Sequence, residues 1–137
     1  MPTAITYRRG NLEELSRLKF ARRLSVTPAT VEFNVVGMGH EFWIAVEDNT
    51  IVGLTVLARA TATQRTILYL HVSDAHKSLG IGSALIRAVL ETYSESEFSV
   101  IPFEGTEEFY VRLGFTRRGR WEMQKAPNLR HEEEDSE

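Results

Sequence analysis

The sequence predicts one α/β (α+β) domain: a mostly antiparallel sheet of about seven strands flanked by helices. Three observations carry this. Residues 41–47, 50–60 and 64–72 form three consecutive runs of strand character separated only by turn-length gaps. The third run leads through a glycine-containing loop into a strongly apolar helix. The 137 residues then close with strand, helix and hairpin patterns in a length that suits a single domain with a sizeable core.

Taken in order, residues 4–8 (Ala-Ile-Thr-Tyr-Arg) suit a short strand, and Gly10-Asn11 interrupts it where Asn11 can cap a helix. Leu12, Leu15, Leu18 (or Lys19) and Ala21 (or Arg22) recur at three- and four-residue spacing with Glu13, Glu14, Arg17 and Arg23 on the other face, which predicts an amphipathic helix from Asn11 to about Leu24. Pro28 breaks the pattern. From there to His40 the chain reads as a short helix and then a loop bearing Gly37 and Gly39. Asp48-Asn49 joins the first two meander strands with good hairpin chemistry. After Ser73-Asp74 and the loop, residues 83–93 present Leu85, Ala88, Val89 and Thr92 at helical core spacing. A short strand at 98–101, a helix at 106–113 and two strands at 115–118 and 121–125 around Gly119 complete the domain, predicted to span 1–125. Residues 126–137 lack any apolar side chain after Leu129 and predict a disordered acidic tail.

Composition excludes several function classes. With no cysteine there is no disulfide, thiolate nucleophile or thiolate-bound metal. The formal charge of -3 divides unevenly: residues 126–137 hold five acids against one arginine, and the first 125 residues sum to +1. A near-neutral body argues against a polybasic nucleic-acid or membrane binder. No signal-peptide stretch opens the chain and no segment is apolar enough to span a bilayer, so the expected localisation is cytoplasmic. His40 and His131 lack partners at ligand spacing, and no metal site is expected.

The segment Asp74-Ala75-His76-Lys77-Ser78-Leu79-Gly80-Ile81-Gly82-Ser83 carries the most chemistry. Two glycines permit close backbone approach, and the helix N-terminus that follows offers amides to an anion such as a phosphate. Glycines before a helix also serve simply to make the turn. The loop has neither the Gly-Lys-Ser/Thr end of a Walker loop nor the three-glycine dinucleotide spacing. Lys77-Ser78-Leu79-Gly80-Ile81-Gly82 resembles the Gln/Arg-x-x-Gly-x-Gly/Ala motif of the GNAT superfamily of N-acetyltransferases, with Lys77 in place of the usual Gln or Arg. Phe109-Tyr110-Val111-Arg112-Leu113-Gly114-Phe115 resembles that family's Phe-Tyr-x-x-x-Gly-Phe, and the order of elements agrees from Ala4 to Lys125. The resemblance implies a mixed sheet splayed between its fourth and fifth strands.

It also implies a reaction: direct attack of an amine on the thioester of acetyl-CoA, the cosubstrate, with no covalent enzyme intermediate and no metal. The donor pyrophosphate would rest on Lys77, Ser78, Leu79, Gly80, Ile81, Gly82 and Ser83, and the pantetheine arm would lie along Leu70, His71 and Val72. The backbone N–H of Val72 would stabilise the oxyanion and Tyr110 would protonate the leaving thiolate. Judged by its surroundings alone, Tyr110 reads as an aromatic packed between Phe109 and Leu113; the motif assigns it the acid role. The positions where relatives carry a base hold Thr66 and Leu68, neither of which can serve. Two-residue alternation sets Ile67, Tyr69 and His71 opposite Thr66, Leu68 and Leu70, which makes His71 a packing or hydrogen-bonding residue. Glu104, Glu107 or a water chain remain for the base, Glu107 being equally explained as a first-turn acid on its helix.

In this fold the acceptor pocket is expected between residues 26–40 and the last hairpin. Phe33, Met38, Phe42 and Trp43 are either an apolar wall of that pocket or core, and Arg117, Arg118 and Arg120 either a basic recognition surface or a solvated strand face. The expected function is N-acetyl transfer from acetyl-CoA to a primary amine of a small molecule, peptide or protein. The competing expectation is a non-catalytic acyl-CoA-binding regulatory module of the same fold. The expected partners are acetyl-CoA and the amine acceptor, with no nucleic acid and no membrane; a homodimer is compatible with the family.

Overall fold

A computed structural model describes residues 4–127. The predicted acidic tail therefore lies outside the described residues, apart from Ala126 and Pro127. The strands are β1 (Ile5–Arg9), β2 (Lys19–Phe20), β3 (Glu41–Glu47), β4 (Thr50–Thr61), β5 (Gln64–Val72), β6 (Glu97–Val100), β7 (Thr116–Arg118) and β8 (Glu122–Lys125). The helices are α1 (Leu12–Leu15), α2 (Pro28–Glu32), α3 (Ile81–Thr92) and α4 (Glu107–Arg112). One mixed sheet runs β1-β3-β4-β5-β6-β8-β7, with β2 added in parallel to β4. All other pairings are antiparallel except β5 with β6.

Alternation along the strands divides the core between the two faces of this sheet. On one face Trp43, Leu57, Ile67, Phe98 and Val100 meet Leu85, Ile86 and Val89 of α3, with Tyr110, Leu113 and Phe115 from the α4 region. On the other, Phe42, Ile44, Ile51, Leu54 and Val56 meet Leu15, Leu24 and Val31. The end of α3 is tied to β3 by polar contacts: the Tyr93 hydroxyl donates to Glu41 Oε2 at 2.5 Å, and the Trp43 indole N–H donates to the same oxygen at 3.0 Å. Gly10 allows β1 to leave the sheet over Phe42, whose ring would lie 2.0 Å from any Cβ placed there.

The predicted helix from Asn11 to Leu24 is corrected. Asn11 caps as expected, its Oδ1 accepting from the Glu13 N–H at 2.8 Å, but the helix ends at Leu15. The chain then becomes β2, because the turn before β4 and the first residues of that strand offer carbonyls that β5 does not reach. Lys19 N–H donates to Asn49 O at 3.2 Å and Ala21 N–H to Ile51 O at 3.0 Å. A continued helix would leave those acceptors without partners from β2. Leu15 and Leu24 still enter the core, so the apolar spacing is satisfied by the interrupted path. Helix α2 continues into one wide turn, Phe33–Gly37, closed by Met38 N–H to Phe33 O at 3.1 Å.

Candidate active site

Strand β5 is flanked differently along its length. Gln64 to Ile67 pair in parallel with Glu97 to Val100 of β6, and beyond Val100 the chain turns away through Ile101-Pro102-Phe103. Leu68 to Val72 therefore keep β4 on one side only. The Ser73 N–H donates to Val52 O of β4 at 2.8 Å. By the alternation of strand amides, the N–H groups of Val72 and Leu70 point to the opposite edge, which β6 leaves uncovered.

A bulge interrupts β5 in the same region. Val56 pairs with Tyr69 but Leu57 pairs with Ile67, so Leu68 is an extra residue. Alternation consequently fails across it. Ile67 and Leu70 face the α3 side, while Leu68 packs on the α1–α2 side. The expectation that Ile67 shares a face with Tyr69 and His71 is therefore corrected: the inserted residue reverses the phase. His71 reaches the segment before α2, where its Nδ1 lies 2.9 Å from Ser25 Oγ, and its ring stacks on Tyr69 at 6.1 Å. Desolvation by burial lowers its pKa below the ordinary histidine value.

At the end of β5 the chain turns through Asp74–His76 into the glycine loop. Gly80 occupies the left-handed region at φ +79° and immediately precedes α3, with no side chain capping the helix. The first bond of α3 closes from Ala84 N–H to Gly80 O at 3.0 Å, leaving the N–H groups of Ile81, Gly82 and Ser83 without intrahelical acceptors. These converge with the helix dipole into an anion-binding end. Two side chains of the loop already meet carboxylates: Lys77 Nζ lies 2.9 Å from Asp74 Oδ1, and His76 Nε2 lies 2.9 Å from Glu47 Oε1. Lys77 draws the Asp74 carboxyl below its usual range, chiefly by hydrogen bonding and then by charge.

Helix α4 supplies the opposite wall. Phe109 packs beside the start of α3, its Cζ lying 3.5 Å from where a Cβ on Gly82 would stand. Tyr110 is buried, edge-on to Phe109 at 5.0 Å and to Phe115 at 5.5 Å. Burial alone pushes its phenol up to about 12. Between the walls is a cavity of about 570 Å³, lined along β5 by Ile67 to Leu70 and Val72. That volume lies within the range of small-molecule sites.

Of the residues singled out from sequence, Leu70, Val72, Lys77, Ser78, Gly80, Ile81, Gly82, Ser83 and Tyr110 line this one cavity. His71, Leu79 and Glu104 are not among its lining residues. Leu79 is exposed, and Glu104 is exposed between Phe103 and Gly105. Glu107 pairs with Arg117. Sequence reasoning did not assign His76, Phe103, Thr106, Phe109 and Arg112 to the site; His76 stands within the loop segment it singled out, Phe109 opens the aromatic motif and Arg112 fills one of that motif's unspecified positions. The four apolar residues considered for an acceptor wall divide: Phe42 and Trp43 are core at 2% and 6% exposure, whereas Phe33 and Met38 stand out at 64% and 55%. Among the described residues no three His, Asp or Glu side chains are grouped as a metal would require, and no helix is long and apolar enough to cross a membrane.

Residues 38–117 match the family described as Acetyltransferase (GNAT) domain. No curated protein matches the chain. Among solved structures, Ard1 from Thermoplasma volcanium superposes with a TM-score of 0.70 at 18% identity, covering 89% of this chain and 97% of that one. PaiA N-acetyltransferase from Thermoplasma acidophilum, in complex with coenzyme A, gives 0.67 at 16% identity over 90% and 99%. The ribosomal-protein-S18-alanine N-acetyltransferase from Escherichia coli gives 0.71 at 12% identity over 92% and 96%. At these identities the likeness concerns the fold.

Proposed function

The chain belongs to the GNAT acetyltransferase family, and from that premise we propose that it transfers an acetyl group from acetyl-CoA to a primary amine of a small molecule, peptide or protein. The observation that carries this reading is the continuity between the uncovered edge of β5 at Leu68 to Val72 and the free amides opening α3. An arm bearing amides can pair with the former while its pyrophosphate rests on the latter.

The proposed reaction forms a C–N bond and breaks a C–S bond. The acceptor begins as an ammonium, with a pKa of ~10.4 for an alkylamine and ~8 for a peptide N-terminus, and must lose a proton before it attacks the thioester carbonyl. The Val72 N–H, directed to the open edge, donates to the oxyanion that develops. When the intermediate collapses, Tyr110 donates its phenolic proton to the leaving thiolate and is reprotonated from solvent. A phenol at about 12 keeps its proton throughout the neutral range until the thiolate leaves. Glu104, outside the lining, can accept the ammonium proton only through water, and a water relay to solvent accomplishes the same step. The catalytic domain is proposed as residues 1–125, with 126–137 a dispensable tail; truncation after Lys125 leaves CoA binding intact on this reading.

Release of free thiol from acetyl-CoA, followed across a panel of small amines and peptide N-termini, tests the proposal. Amine-dependent release supports it. Tight CoA binding with no release for any amine would favour a non-catalytic acyl-CoA-binding module instead.

A further inference from the structure

Resting on the reading of the cavity as a CoA site, we propose that Arg112 is the side chain that grips a phosphate of the donor nucleotide, opposite the amides of α3. Three residues with basic side chains line the cavity: His76, Lys77 and Arg112. The first two each meet a carboxylate of the protein, Glu47 and Asp74, at 2.9 Å. Arg112 makes no ion pair among the described residues. A nucleotide with a pyrophosphate and a phosphate monoester brings roughly four negative charges, against about half a positive charge at a helix N-terminus. With a carboxylate beside each, Lys77 and His76 add little net positive charge to that balance, whereas Arg112 adds a full one.

Its placement agrees. Arg112 lies one helical turn beyond Phe109, which stands against Gly82 in the first turn of α3, and both residues line the cavity. Thr106, Phe109 and Arg112 form a three-residue stripe along the wall that α4 presents. The guanidinium fork matches two phosphate oxygens at once, which an ammonium cannot do. Lys77 occupies the loop position where the family pattern has Gln or Arg. Arg112 thus supplies from the opposite wall the forked group the loop lacks.

Calorimetric titration with CoA and with 3′-dephospho-CoA tests this without any knowledge of the acceptor. In low salt, Arg112→Gln weakens CoA binding about tenfold, as expected for loss of a charge-assisted hydrogen bond, while Lys77→Gln costs less because Asp74 already holds that ammonium. Arg112→Lys falls between wild type and Arg112→Gln. Unchanged thermal unfolding midpoints show that each exposed substitution leaves the fold intact. A penalty that disappears with 3′-dephospho-CoA assigns the contact to the 3′-phosphate, and one that persists assigns it to the pyrophosphate. Wild-type binding of CoA with Arg112→Gln within twofold of it overturns the inference alone. Failure of the wild type to bind CoA overturns the underlying reading with it.

Discussion

The two walls of the cavity are made from different parts of the polypeptide. On the α3 side the groups that open the helix are backbone amides of Ile81, Gly82 and Ser83, and the nearby Lys77 and His76 side chains each meet a carboxylate, Asp74 and Glu47. On the α4 side the groups are side chains: the Phe109 ring, the buried Tyr110 phenol and the exposed Arg112 guanidinium. A backbone wall is indifferent to most side-chain changes but sensitive to anything that moves the main chain. A side-chain wall has the opposite response. The proposed tasks divide by kind of group: backbone amides hold the anion from the α3 side, while side chains on the α4 side supply the proton and a second, forked grip on a phosphate.

Substitutions that strike each wall where it is vulnerable sharpen this contrast. The largest effect is expected from Tyr110→Phe, which keeps the ring and removes the proton: turnover falls about a hundredfold with little change in CoA affinity, measured by thiol release and calorimetry. Undiminished turnover would break the division of labour. The same substitution changes alkaline stability. In the folded protein the phenol is raised to about 12, above the ordinary value of 10.0, so its ionisation favours the unfolded chain. Its contribution is fully present below pH 10 and is lost as pH rises through about 12, at up to ~1.4 kcal/mol per pH unit. Tyr7 and Tyr93 are also raised and share in the decline. Denaturant titrations between pH 9 and 11.5 should show a shallower loss for Tyr110→Phe than for wild type.

On the backbone wall, Gly80→Val forces a β-branched residue into φ +79° and should weaken CoA binding about tenfold by displacing the α3 amides. Ser83→Ala, which leaves the main chain alone, should remain within about twofold. The last effect has the opposite sign. Asp74→Asn releases Lys77 and removes a negative charge near the phosphate end, so CoA should bind a few-fold more tightly in low salt, the gain fading as ionic strength rises.

The parts of the fold legible in sequence are those where one local pattern decides. β3 and β5 have the predicted bounds, Glu41–Glu47 and Gln64–Val72, because their apolar runs stop at residues that favour turns. The segment after Asn11 was misread because its leucines fit a helix and an interrupted path equally well; free carbonyls on β4, distant in sequence, decide between them. The bulge at Leu68 has no local mark, since an aliphatic residue suits either phase of a strand. At the site, the backbone wall was readable from two glycines before an apolar helix and Tyr110 from its aromatic motif. Arg112 was not, because an arginine at the end of a helix acquires meaning only when packing shows what it faces.

The half-paired end of β5 leaves a time signature in the free protein. The amides of His71 and Ser73 are turned toward β4, whereas those of Leu70 and Val72 face the open edge. Deuterium replaces amide protons through opening to water, so exchange along these four residues should alternate between slow and fast with the two-residue period of the strand. A bound pantetheine arm would slow Leu70 and Val72 selectively. That would convert an alternating pattern into uniform protection and report cofactor engagement at single-residue resolution.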